Sequence, residues 1–330
     1  MTRATEPAEA AGAAEAAEPT GHRLARLQAG LVAAALACAT VWLALALWAG
    51  WHPLVIAAGL SLALLPHAWV LALEYLLLAR HLRRESPLAP PRPATLLRAW
   101  AGEVVTGLRI FAWNQPFRHR AVPDHLPAGA AGRVGVLFIH GFVCNRGLWN
   151  PWLRRLHASG VPFMAVSMEP VFGAIDDYVA TLEAAVTRLQ QATGRPPWVV
   201  CHSMGGLALR AWLRAGGPAG AHEARIAGVI TIATPHHGTS LARLGISPNA
   251  RQMRLESRWL TQLQADEAAH AAQPYARFTC HYSDCDNIVY PARTATLPGA
   301  DNRLHPGVAH VHLAFSETIF QDLRRRLEQA

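Results

Sequence analysis

The sequence predicts an α/β protein, a mostly parallel sheet covered by helices on both faces, preceded by a transmembrane helical hairpin. Three observations carry that expectation. An N-terminal stretch runs uncharged for long enough to cross a membrane twice, short apolar runs alternate with helical periodicity beyond Arg133, and a serine sits between one such run and a helix.

Residues 1–20 are rich in Ala and Glu, contain Pro7 and Pro19, and show no apolar periodicity, so residues 1–26 read as a disordered tail on the cytoplasmic side. No Asp, Glu, Lys or Arg occurs between Arg26 and Glu74. A crossing helix needs about 20 apolar residues, which places two transmembrane helices in residues 27–80, near Leu31–Gly50 and Leu54–Leu78. Trp51-His52-Pro53 supplies the turn, because Pro is tolerated at a helix start and disrupts a helix interior. Trp48 and Trp51 fall where an interfacial aromatic belt is expected. Within this reading Glu74 lies near the lipid headgroups and His67 faces the partner helix. A cleaved signal peptide fits poorly, since a second apolar run follows at once.

Orientation follows from the flanks. Arg23 and Arg26 precede the first span, Arg80, Arg83 and Arg84 follow the second, and the intervening turn is uncharged. Positive flanks prefer the cytoplasm, so the expectation is a two-pass protein of the inner (cytoplasmic) membrane with its large domain on the cytoplasmic side.

All 30 basic residues are Arg, and the net charge is +8. That balance raises nucleic-acid binding, but no nucleic-acid-binding motif accompanies it and the Arg residues gather beside the apolar segments, so membrane lipids rather than nucleic acid are the expected partner. The five cysteines lack metal-type spacing and are expected as free thiols, with a Cys280–Cys285 pair open only if the fold joins them. Residues 81–120 form a basic linker and domain lead-in. Its Ser86–Pro93 part is a Pro-rich spacer, and beyond it Arg98, Arg109, Arg118 and Arg120 interleave with Trp100, Phe111 and Trp113. That stretch suits either an anionic leaflet or the first layer of the next domain.

Residues 121–330 carry the α/β pattern. Apolar runs at Val134–Ile139, Pro162–Val166, Trp198–Cys201, Ile226–Ile232 and Phe278–Tyr282 predict strands. Helical stretches fall at Trp149–Ala158, Asp176–Thr193 (stopped by Gly194) and Met204–Ala215. Reactive residues then belong at the carboxyl ends of the strands.

Cys201-His-Ser-Met-Gly205 lies between a predicted strand and a predicted helix. A serine on so tight a turn has its hydroxyl forced above the sheet and helix N–H groups beside it. The pattern is G-x-S-x-G with Cys201 at the first glycine. His140-Gly141-Phe142 follows the neighbouring strand, and the backbone N–H of Phe142 with that of Met204 could bind an oxyanion, leaving His140 to hold the loop.

With these blocks, Leu137–Phe142 and Val200–Gly206, and with Thr234-Pro-His-His-Gly-Thr239 and Tyr282–Pro291 following in order, the chain resembles the α/β-hydrolase superfamily, and within it bacterial triacylglycerol lipases and esterases. The resemblance covers roughly residues 130–315 and implies an α/β-hydrolase fold with a Ser-acid-His triad. Ser203 is the implied nucleophile. Asp286 precedes Asn-Ile-Val-Tyr-Pro291 at the family's spacing, with Asp284 the competing acid. His310, in Gly307-Val-Ala-His310, is the implied base, with His312 and His305 as competitors. His236 and His237 are expected in the wall of the site, and His202 with them in substrate binding; no metal or cofactor is expected. The Ala250–Ala272 stretch, with Met253, Leu255, Trp259, Leu260 and Leu263, predicts one amphipathic helix, either a lid or a packing helix.

The activity this implies is hydrolysis of carboxylic esters, apolar or lipid, through an acyl-enzyme. An acyltransferase or thioesterase with the same triad, and a non-catalytic membrane scaffold, are the alternatives. The pattern leaves oligomeric state open.

Overall fold

A computed structural model describes residues 22–85, 91–217 and 220–330. The expected tail over residues 1–21 and most of the expected spacer, residues 86–90, lie outside the described residues. Four helices come first: α1 (His22–Trp48), α2 (Pro53–Leu64), α3 (Pro66–Glu85) and α4 (Pro93–Arg109). Residues 22–26, assigned above to the tail, are thus already helical. A π-helical turn leads into the short α5 (Gln115–Arg118).

The α1–α2 turn is where Trp51-His52-Pro53 placed it. Pro53 starts α2, and the ring of His52 accepts the Leu54 N–H at 3.2 Å. The second expected span is corrected: it is not one straight helix, because α2 and α3 meet at an angle of 81°. Pro66 is the cause, since it offers no N–H to the helix and disfavours helical backbone at Leu65, whose φ is −122°. Only α1 is by itself long and apolar enough to cross a membrane among the described residues.

The start of α1 is held against the rest of the chain by Gln28, which donates to the Gln115 side chain at 3.2 Å. Farther along, α1 packs against α2, where the Trp42 indole donates to the Ile56 carbonyl at 3.2 Å. The α3–α4 pair instead packs on the α/β domain: Tyr75, Leu78 and Ala99 form one buried cluster with Cys285, Tyr290 and Ala309. Glu74 is accordingly not at the headgroups. It accepts a hydrogen bond from Asn287 at 2.7 Å, while the His67 ring meets the Val104 carbonyl of α4 at 3.3 Å. Of the two readings for the Arg- and Trp-bearing stretch, α4 takes the second, as a layer of the domain.

The sheet is wholly parallel, in the order β2-β1-β3-β4-β5-β6 among the described residues. Its strands are β1 (Val136–Ile139), β2 (Phe163–Ala165), β3 (Trp198–His202), β4 (Gly228–Ile232), β5 (Phe278–Tyr282) and β6 (Asp301–Leu304). Interleaved with them are α6 (Asn150–Ala158), α7 (Val179–Thr193), α8 (Met204–Ala215), α9 (Pro248–Gln252), α10 (Arg258–His270), α11 (His310–Leu313) and α12 (Glu317–Glu328). The inner strands are apolar and buried on both faces, as a sheet covered by crossover helices requires. On one face Trp149, Trp152, Ile319 and Phe320 pack from α6, α12 and the turn before α6; on the other, Leu182, Leu189 and Leu207 pack from α7 and α8.

The order reverses between β1 and β3, so the loops leaving these two strands face each other across a crevice at their carboxyl ends. The stretch Ala250–Ala272 is not one helix. It breaks between α9 and α10, with Glu256 at φ 55° and Ser257 capping α10 by accepting the Leu260 N–H. All five cysteines are free thiols.

Candidate active site

Ser203 occupies the single residue between β3 and α8, with φ 54° and ψ −130°. A non-glycine residue held at positive φ stores strain and is maintained only where its surroundings fix it. Gly205 makes the turn possible. A Cβ there would stand 2.5 Å from the His140 carbonyl oxygen and 2.7 Å from that of Ile139, so a side chain would drive α8 off the end of β1. Cys201, standing where the pattern has glycine, points into the core with Met204 and Leu207 and leaves the turn intact.

The loop after β1 lies directly against the serine. A Cβ on Gly141 would be 2.7 Å from the Ser203 Cβ and 3.2 Å from its Oγ. His140 braces this loop: one ring nitrogen donates to the Gly141 carbonyl at 2.8 Å, and the other accepts the Met168 N–H at 3.0 Å. Complete burial holds its pKa down to about 4, so the ring stays neutral. Phe142 follows, its ring 5.8 Å from that of Phe172, and Met204 opens α8 on the other side of Ser203. Amides in the first turn of a helix lack intrahelical partners, which leaves that of Met204 free to meet an anion.

His310 begins α11. Its Nε2 is 3.0 Å from Ser203 Oγ, and its Nδ1 is 2.9 and 3.0 Å from the two oxygens of Asp286. Asp286 in turn accepts the N–H groups of Ile288 and Val289, each at 2.8 Å. All three side chains are buried. Burial alone would lower the His310 pKa, but the charge and hydrogen bond of Asp286, joined by the charges of Glu103 and Glu74, outweigh it and raise it above the ordinary histidine value. The structure therefore brings Ser203, His310 and Asp286 into one hydrogen-bonded chain.

The competing residues go elsewhere. Asp284 accepts the Gly307 N–H at 2.7 Å, and His305 pairs with His281 at 2.8 Å. The His312 ring lies beside Gly102 of α4.

A proton can pass from the serine hydroxyl to His310 in this geometry while Asp286 holds the imidazole in the required tautomer, the arrangement that activates a serine as nucleophile. A sequence profile described as the alpha/beta hydrolase family matches residues 136–326, more than half of the chain. This chain belongs to the alpha/beta hydrolase family.

Solved structures of other family-like folds are similar to this hydrolase. The Bacillus licheniformis lipase BlEst2 in its mature form has a TM-score of 0.51 and 19% identity, over 62% of this chain and 94% of that one. Aspergillus fumigatus lipase B gives 0.48 and 16%, over 62% and 55% of the two chains. A Paleococcus ferrophilus monoacylglycerol lipase gives 0.43 and 14%, over 61% and 95%. At these identities the likeness is one of fold. No curated protein matches the hydrolase in sequence.

Two of the residues expected in substrate binding are buried. His202 is buried with its Nε2 on the His310 carbonyl at 3.3 Å, and His236 is buried with its Nε2 3.1 Å from the Thr231 hydroxyl. His237 borders a cavity of about 280 Å³ with Leu255, Leu260, Gln264 and Arg293.

Two acidic residues beside the site escaped sequence reasoning. Glu103 of α4 accepts the N–H groups of Val311 and His312, and Glu74 of α3 holds Asn287. A signal for Glu103 existed: it shares a four-residue spacing with Ala99 and Gly107, which puts a carboxylate on the buried stripe of α4.

Proposed function

We propose that this hydrolase cleaves carboxylic esters, apolar or lipid ones, by an acyl-enzyme route while anchored in a membrane. The observation that carries the reading is His310 standing in hydrogen-bond reach of both Ser203 and Asp286. His310 takes the Ser203 proton as Oγ attacks the ester carbonyl, and Asp286 stabilises the imidazolium. The N–H groups of Phe142 and Met204 receive the oxyanion, where loss of one donor costs about 10²–10³ in kcat in other enzymes. The alcohol leaves with the proton from His310, and water, deprotonated by the same ring, releases the acid.

An apolar substrate is favoured by the surroundings. Leu24 and Leu27 of α1, with Pro170, Val171 and Phe172 and together with Arg23 and Glu169, border a cavity of about 520 Å³ beside the Phe142–Phe172 contact. Anchoring is supported by the α1–α2 prong. Beyond Gly30, α1 extends about 27 Å at 1.5 Å per residue, close to the roughly 30 Å hydrocarbon thickness of a bilayer. Leu36, Val41, Leu47, Leu54 and Leu62 are exposed along it, and Trp48 stands at its tip. If the chain re-enters through α2 and α3, the positive-inside rule would keep Arg23, Arg26, Arg80, Arg83 and Arg84 with the domain on the cytoplasmic face.

The test is labelling of the detergent-solubilised protein with a fluorophosphonate, beside Ser203→Ala. Labelling that disappears in the variant supports the reading, and a folded wild type that does not label overturns it. Active-site labelling followed by an ester chain-length series then ranks the substrates.

A further inference from the structure

Both loops that carry the reactive residues are gripped from outside the family domain. On α3, Glu74 accepts from Asn287 at 2.7 Å and the Tyr75 hydroxyl donates to the Cys285 carbonyl at 3.2 Å, so adjacent residues of one helix hold the chain on both sides of Asp286. On α4, the two oxygens of Glu103 accept the Val311 N–H at 2.8 Å and the His312 N–H at 2.9 Å, the two amides that follow His310. The Asn287 side chain joins the two grips by accepting the His310 N–H at 3.4 Å. The helices are themselves fastened together, by the Trp100 indole donating to the Ala68 carbonyl at 3.1 Å and by His67 on Val104.

We propose that Glu103 is a positioning residue for His310, fixing the backbone of its turn while Asp286 fixes its ring, and that α3 does the same for the acid loop. The role assigned to His310 rests on the serine-hydrolase reading above.

The chemistry of Glu103 argues for this role. Its side chain is 2% exposed, and a carboxylate is costly to bury unless its oxygens find donors. Here each oxygen finds one, and both donors belong to the turn that must not move. The titratable groups around it are His310 and His312 of α11, Asp286 of the acid loop, and Glu74 and Tyr75 of α3. His310, once protonated, is the cation nearest to hand, so the Glu103 charge is best compensated when the imidazolium forms. Burial raises the Glu103 pKa to about 7 against the pull of the two amides and His310, so charged and neutral forms are both present near neutral pH.

The experiment compares wild type, Glu103→Gln and Glu103→Asp as full-length protein in detergent, with Ser203→Ala as the blank. Gln keeps the size but offers one acceptor oxygen and no charge; Asp keeps the charge and cannot reach both amides. Fluorophosphonate labelling and kcat should fall about 10- to 100-fold in Gln, the scale of a small misplacement of reacting groups, with KM within about twofold. The acid limb of kcat/KM should move to lower pH in Gln, since a lost neighbouring anion lowers the His310 pKa, and stay in place in Asp. Hydrogen exchange should rise in residues 308–315 and not elsewhere.

A role in stability alone would lower the melting temperature and leave the acid limb where it was, which overturns the proposal. Unchanged exchange over 308–315 in Glu103→Gln overturns it too, whatever the labelling shows. A folded wild type that never labels instead removes the hydrolase reading, and the catalytic role of Glu103 with it.

Discussion

The Asp284 carboxylate accepts the Gly307 N–H at 2.7 Å, so the acid two residues before Asp286 holds the loop that leads to His310 and not its ring. The two acids are therefore separable by mutation. Asp286→Ala should lower kcat by about 10⁴, the scale of losing the orienting acid of a triad. Asp284→Ala should cost at most about tenfold, through a looser loop. Steady-state kinetics on a soluble ester checks both, and equal losses would reverse the assignment.

In the proposed mechanism His310 can act as a base only when neutral, and its pKa is raised. Labelling should therefore rise with pH through a midpoint above the ordinary histidine value of about 6.5. Asp286→Asn removes the main charge that raises it, so the residual activity of that variant should reach half-maximum at lower pH than wild type. A pH series of labelling rates reads both midpoints.

Gly205 and Cys201 flank the serine turn with opposite tolerance. Gly205→Ala should abolish labelling and cost about 1–3 kcal/mol or more through overpacking against β1. Cys201→Gly restores the commoner pattern and should keep labelling, at a loss of about 1 kcal/mol for a glycine within a strand. Denaturant midpoints beside labelling separate the two outcomes.

Arg210 is completely buried and forks onto Glu267 of α10 at 2.6 and 2.8 Å, with a third bond to the His236 carbonyl. Glu267→Gln leaves a buried cation unpaired and should destabilise by about 3–5 kcal/mol. Replacing both residues, as Arg210→Met with Glu267→Leu, should cost much less. Calorimetry of the single and double variants measures the difference. Leu260 and Leu263 of α10 are buried as well.

What the sequence made legible was local. The strands β1, β3, β4 and β5 are short apolar runs, and Ser203, Asp286 and His310 each lie in a short block at a strand end or in the loop leading from one, where the chain turns sharply. β6 was missed because Asp301-Asn-Arg-Leu304 is a polar edge strand with no apolar run to announce it. The bend at Pro66 was readable by the same argument that placed the turn at Pro53, and went unused. The grips of Glu74 and Glu103 were out of reach, because each joins residues more than 200 positions apart and nothing local marks such a pairing. The burial of the His202 and His236 rings was hidden for a related reason: nearness to a motif in sequence says little about which way a ring points.

On the anchored reading proposed above, the 81° turn at Pro66 alone separates the α1–α2 prong from α3, which packs on the domain that carries Ser203. An enzyme so anchored would not roam the aqueous phase for dispersed molecules; it would sample whatever diffuses laterally past it. Its turnover would then follow the mole fraction of ester in the surface around it, and diluting that surface with inert lipid would slow it even at constant bulk concentration.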